Sequence, residues 1–129
     1  MTAFYIILAI LLFGVLVLAH EFGHFITAKL SGVRVNEFSL FMGPAIFKKT
    51  KGETTYSLRC IPIGGYCAME GEDDESDDPR AFGNAKLYKR LIILVAGSFM
   101  NFVAGFLITV LFVSLAFGYV PSTSLSGFA

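Results

Sequence analysis

The stretch Leu16–Lys29, LVLAHEFGHFITAK, decides how the chain is read. It continues an uncharged run and then sets two histidines and a glutamate into it. Ala3 to Ala19 has no charge and only Tyr5 among polar types, and as a helix it reaches roughly 25 Å at about 1.5 Å per residue. With His20 to Ala28 added, the helix is long enough for a bilayer core of about 30 Å. Leu91 to Val120 is a second uncharged run, broken only by Ser98, Asn101, Thr109, Ser114 and Tyr119. Two spans are therefore expected, because the rest of a 129-residue chain is too short to cover two such helices inside a soluble core.

A net charge of zero conceals an asymmetry: all ten Lys and Arg lie between Lys29 and Arg90, in the segment joining the apolar runs. The positive-inside bias puts that segment in the cytoplasm and both chain ends outside. The first run has no basic n-region and passes directly into HEFGH, so a cleaved signal peptide is disfavoured. Cys60 and Cys67 fall on the cytoplasmic side, where packing thiols are expected and disulfides are rare.

Between the runs the pattern changes. KLSG (29–32) carries a base and a glycine where a helix should stop. From Val33 to Met69 the sequence is rich in β-branched and aromatic residues, punctuated at Gly43-Pro44, at Lys51-Gly52 and at Gly64-Gly65. This predicts three or four short strands with a hairpin near Lys51-Gly52. Its many apolar residues suit a sheet packed on its own helices, or one dipping into the membrane interface, where its backbone must be paired or covered. EGEDDESDD (70–78) does not fit an EF-hand and is expected to be a solvated linker. Pro79 to Arg90 is a basic lead-in, with Lys86, Lys89 and Arg90 at the anionic headgroups. There is no nucleic-acid module and no phosphate-cradling glycine loop.

The expected fold is thus a membrane protein, mainly α with a small β region: two transmembrane helices joined by a cytoplasmic, membrane-associated β-hairpin or sheet. The expected boundaries are a first span over 1–29, the β region over 30–69, an acidic linker over 70–85, a second span over 86–120 and an extracytoplasmic tail over 121–129.

HEFGH carries the chemistry. On a helix His20 and His24 lie about 40° apart on one face and can take neighbouring corners of a zinc tetrahedron. Glu21 lies about 100° round from His20, poorly placed to ligate but well placed to take a proton from a metal-activated water. That is the division of labour in H-E-x-x-H metallopeptidases. An exposed polar face is the bland reading, and it weakens in an apolar span, where an unpaired carboxylate costs about 2.5 kcal/mol or more. A structural polar network with the second span is the surviving alternative. His24 precedes Lys29 by five residues, about 7.5 Å along the axis, so the metal is expected inside the membrane near its cytoplasmic face.

Taken together, HEFGH, then FMGPAIF with IPIGGYCAMEGEDD, then AGSFMN resemble the N-terminal half of the site-2 protease family, in its bacterial RseP-like group of intramembrane zinc metalloproteases. The resemblance implies a Zn²⁺ cofactor held by His20 and His24, with Glu21 as catalytic base. Gly97 and Asn101, matching the family's GxxxN, would lie close to the site, Asn101 offering hydrogen bonds to substrate. It also implies hydrolysis within a single-pass transmembrane substrate such as an anti-sigma factor, in the bacterial inner or plasma membrane, with an extended substrate adding to an edge of the β region. Ser98 stands where the family commonly has proline, and Cys67-Ala68 follow GGY where Val-Lys is common. The family's third ligand, an Asp from a later span, has no counterpart: after Asn101 there is no Asp, Glu, His or Cys. Alone the segment is expected to be inactive, needing a C-terminal half that supplies the PDZ region and the third ligand. The alternative from a different class is a non-catalytic membrane module that holds transmembrane clients.

Overall fold

The computed structural model describes residues 1–118; the tail expected over 121–129 and the last two residues of the expected second span lie outside them. Helix α1 (Thr2–Ser31) is followed by strands β1 (Val35–Lys51) and β2 (Thr54–Met69), a 3-10 turn (Phe82–Asn84) and helix α2 (Leu87–Gly118). At 30 and 32 residues, the helices are about 45 and 48 Å long, sufficient to cross a bilayer. Their outward side chains are apolar and uncovered, from Phe4 to Phe13 on α1 and from Leu91 to Phe117 on α2. So large an exposed apolar surface is rare on a soluble monomer and is consistent with helices set in a membrane.

α1 stops as KLSG predicts. Gly32 turns left-handed at φ 81°, the Gly32 N–H donates to Lys29 O, and the Val33 N–H donates to Ala28 O. A residue with a Cβ is strained there, which is why glycine ends the helix.

The two helices cross at small residues. α1 presents His20, Gly23, His24 and Ala28, and α2 presents Ile93, Ala96, Gly97 and Asn101, each set at helical three-and-four spacing. Gly23, Ala28, Ile93, Ala96 and Gly97 are buried. A Cβ on Gly23 would meet Ala96 O at 2.5 Å, so backbone approaches backbone with no room for a side chain.

The β region forms one sheet of two long strands rather than three or four short ones, with its turn at Gly52 as expected. Each strand bends, so its halves pair differently. Ala45–Lys51 pairs antiparallel with Thr54–Arg59, and Val35–Leu40 pairs antiparallel with Gly65–Met69. Glu37–Leu40 is also matched, in ascending step, to Thr55–Leu58 on its other flank. Four segments therefore lie side by side, with 35–40 inside and 65–69 at one edge. The number of segments agrees with the four-strand reading, and the bends between them turn through left-handed φ at Phe41, Gly43 and Gly64.

Phe38 and Tyr56 face α1 and pack tilted and edge-on against Phe25, at centroid distances of 5.1 and 5.9 Å. The core continues through Ala28, Val33, Val35, Cys67, Met69 and Ile93. At the turn end, Glu53 pairs with Lys29 at 2.8 Å. At the other end the Phe41 ring lies against Gly14. Gly14 and Lys29 are 15 residues apart, about 22 Å of helix, so the sheet runs alongside α1 into its uncharged half.

The acidic run is tied down where a solvated linker was expected. Glu70 accepts from Asn36 and Ser76, both at 2.6 Å. Asp78 pairs with Arg34 at 3.3 Å and accepts the Arg80 N–H at 2.8 Å. Ala81 is buried, and the Phe82 N–H donates to Glu70 O. Glu72 to Glu75 and Asp77 stay exposed, while Glu70 and Asp78 supply acceptors that the sheet and α2 lead-in need. Arg80 and Lys29 hold the Glu53 carboxyl down to about 2, and through it the hairpin turn to the C-terminal end of α1.

Candidate metal and catalytic centre

The helix crossing brings His20, His24, Gly97 and Asn101 together. The His20 and His24 Nε2 atoms lie 3.1 Å apart. The His24 Nδ1–H donates to Ile93 O at 2.7 Å, which fixes the tautomer and leaves the Nε2 lone pair free. His20 Nδ1 lies 3.2 Å from the Asn101 side-chain amide nitrogen, while the Asn101 Oδ1 is buried without a partner. As placed, the amide nitrogen donates to His20 Nδ1, so the His20 Nε2–H donates to His24 Nε2. Turned over, the amide oxygen would accept from His20 Nδ1–H and both Nε2 atoms would present lone pairs.

The two Nε2 atoms face each other across 3.1 Å, joined by a hydrogen bond in the first arrangement and free to share a cation in the second. Two nitrogen ligands at about 2.0–2.1 Å and a tetrahedral angle are separated by roughly 3.3 Å, so the pair fits zinc. Gly97 makes the approach possible: a Cβ there would lie 2.5 Å from His24 Nε2 and 2.7 Å from His20 Nε2. Among the described residues no group of three His, Cys, Asp or Glu side chains converges as a complete ligand set.

The Glu21 side chain lines a cavity of about 510 Å³ together with His24, Tyr66, Cys67, Met69 and Glu72. The sheet edge forms the opposite wall. Gly65 packs on the Glu21 side chain, where a Cβ would be 3.5 Å from Glu21 Cγ and 2.9 Å from Ser39 O. The Cys67 backbone amide is directed at the Glu21 carboxyl. Cys67 itself is buried, and burial beside the Glu21 and Glu72 carboxyls pushes its thiol up to about 12. It therefore stays protonated and serves as packing, as expected for it; Cys60 is exposed.

Two features of the centre were not read from the sequence. The Ile93 carbonyl orients His24 through the backbone, and no side-chain type announces such a role. Gly65 was read only as punctuation, although its lack of a side chain is what lets the edge lie against Glu21.

Comparison with known proteins agrees with this geometry. The profile of Peptidase family M50 matches residues 8–127. The chain belongs to peptidase family M50, the site-2 protease family. It is 52% identical over 103 residues to a protein of Clostridium acetobutylicum named "Putative zinc metalloprotease", covering 80% of this chain and 30% of that one. A protein of Clostridium perfringens with the same description is 48% identical over 112 residues, covering 87% and 32%. Zinc metalloprotease RasP of Oceanobacillus iheyensis is 56% identical over 66 residues, covering 51% and 16%. The chain thus spans about a third or less of the length of these relatives. This M50 segment contains the H-E-x-x-H helix and the GxxxN helix, and site-2 proteases are membrane proteins.

Proposed function

We propose that the segment is the N-terminal part of an intramembrane zinc endopeptidase that cuts single-pass membrane proteins within their transmembrane segments. The observation that carries this is the pair of convergent imidazoles held against Gly97 beside a carboxylate that opens onto a cavity.

His20 and His24 would hold the zinc, with a third ligand from the part of the protein beyond this segment. Bound there, zinc supplies Lewis acidity that makes a water nucleophilic near neutral pH. Glu21 would take the proton from the attacking water and pass it to the leaving amine. Asn101 would hold the His20 ring in register through its amide. The 65–69 edge would align an extended substrate by strand addition, with its backbone within reach of Glu21. A transmembrane helix hides its peptide bonds, so unwinding onto an edge is what makes one available. The sheet's course along α1 supports placing that event within the membrane, close to the cytoplasmic face.

The test uses the full-length protein that contains this segment, reconstituted with a transmembrane reporter. Cleavage should vanish in Glu21→Gln with zinc retained, and His20→Ala should lose both. Cleavage that persists in Glu21→Gln rejects the carboxylate as base. Capture of the reporter without cleavage by the unmodified, zinc-loaded protein favours the client-holding alternative.

A further inference from the structure

The face of the sheet turned away from α1 carries a charged network that the catalytic reading leaves unused. On the helix-facing side Phe38, Tyr56 and Cys67 lie in one row, by their mutual pairing. The opposite side carries Glu37, Ser39, Ser57, Arg59 and Tyr66. Arg59 spreads its donors over three acceptors: Nη2 to Glu37 Oε1 at 2.8 Å, Nε to Ser39 Oγ at 3.1 Å and Nη1 to Gly43 O at 2.7 Å. Glu37 Oε1 also accepts from Ser57 Oγ at 2.6 Å. The guanidinium lies over the Tyr66 ring, 5.3 Å from its centroid.

Both charged side chains are largely covered, at 17% and 21% exposure, in a sheet lying beside an apolar helix. A pair so placed is costly to desolvate and persists only when its remaining donors and acceptors are met, as they are here. The network also ties three of the four segments together: Glu37 and Ser39 inside, Ser57 and Arg59 on one flank and Tyr66 at the edge, with Gly43 at the far bend. Tyr66 is the residue before Cys67, whose amide faces Glu21, and it lines the same cavity.

We propose that Glu37 and Arg59 are positioning residues: through Tyr66 they clasp the 65–69 edge at a fixed distance and register from Glu21, so that a substrate strand added to that edge is presented correctly. This inference rests on the proposed function for its use of the edge. The clasp itself can be tested without cleavage. Polar networks of this kind set local opening, which amide exchange reads directly.

The experiment compares the full-length protein with Arg59→Gln, Arg59→Lys, Glu37→Gln and Tyr66→Leu, each checked for a cooperative unfolding transition. Amide exchange at Tyr66 to Ala68 should quicken about tenfold in Arg59→Gln, following the loss of a network-held closed state. Arg59→Lys, which keeps the charge but not the three-way fork, should fall between the two. On the transmembrane reporter, KM should rise severalfold in Arg59→Gln while kcat and zinc content stay near the unmodified values. If Arg59→Gln does not fold, Tyr66→Leu gives the same readouts by removing only the ring beneath the guanidinium. Unchanged exchange at the edge overturns the clasp, and faster exchange with unchanged KM overturns its role in presenting substrate. If the unmodified protein does not cut, the proposed function has failed, and the exchange result still decides the clasp.

Discussion

Replacing Gly97 by alanine is the sharpest test of the centre, because the outcome follows from one measured gap. The new Cβ would lie 2.5 Å from His24 Nε2, 2.7 Å from His20 Nε2 and 2.8 Å from His20 Cε1, where ordinary contact begins at 3.4 Å. Roughly 0.9 Å must therefore be found by withdrawing α2 or turning the rings. The Gly23–Ala96 contact at the same crossing leaves α1 and α2 little freedom to slide, so much of the movement falls on the imidazoles. Turning either ring strains its Nδ1 hydrogen bond and spoils the 3.1 Å spacing of the ligand nitrogens. Overpacking of this kind costs about 1–3 kcal/mol of stability. A displacement of about 1 Å at a reacting centre costs on the order of 100-fold in rate. The assay is zinc occupancy and reporter cleavage by full-length Gly97→Ala, with thermal unfolding as a folding control. A variant that folds, keeps its zinc and cuts at the unmodified rate refutes the packing of Gly97 against both rings.

Other consequences can be measured separately. Asn101→Leu keeps the helix and removes the partner of His20 Nδ1, so zinc affinity by chelator competition should fall about 10–100-fold, as when other orienting partners of metal ligands are lost. The Glu53 carboxyl is held at about 2 in the folded protein, well below the 4.5 of a free glutamate. Its contribution to stability is therefore complete above pH 4.5 and is lost as pH falls toward 2; with solvent screening it amounts to about 1 kcal/mol. Thermal unfolding followed from pH 7 down to pH 3 should show that loss in the unmodified protein, and Glu53→Gln should flatten it.

The helix that carries HEFGH was legible because a 3.6-residue period fixes which side chains share a face, whatever else the protein does. The same period put Gly97 and Asn101 four residues apart, on one side of the second helix. The motif resemblance assigned them to the site, and the structure places both beside His20. The β region was less legible. Its composition announced strands and its glycines announced turns, but the bends that let 35–40 pair on both flanks depend on non-local partners. Phe41 adopts a left-handed φ of 69° that nothing in an aromatic residue announces. The acidic run shows the limit most clearly. Nine residues that read as solvent-seeking turn their first and last carboxylates inward, because Asn36, Ser76 and Arg34 wait there as donors.

The sheet's attachment at both extremities has a bearing on how a cut site would be chosen. Glu53 moors one extremity at the level of Lys29 and Arg80, and Phe41 rests on Gly14 about 22 Å further along the helix. A guest chain laid along Gly65–Met69 would therefore be gauged from the headgroups by the protein's own framework. The scissile bond would then be selected by how far it lies below the surface, and the identity of the flanking side chains would matter less than the ease with which that stretch uncoils.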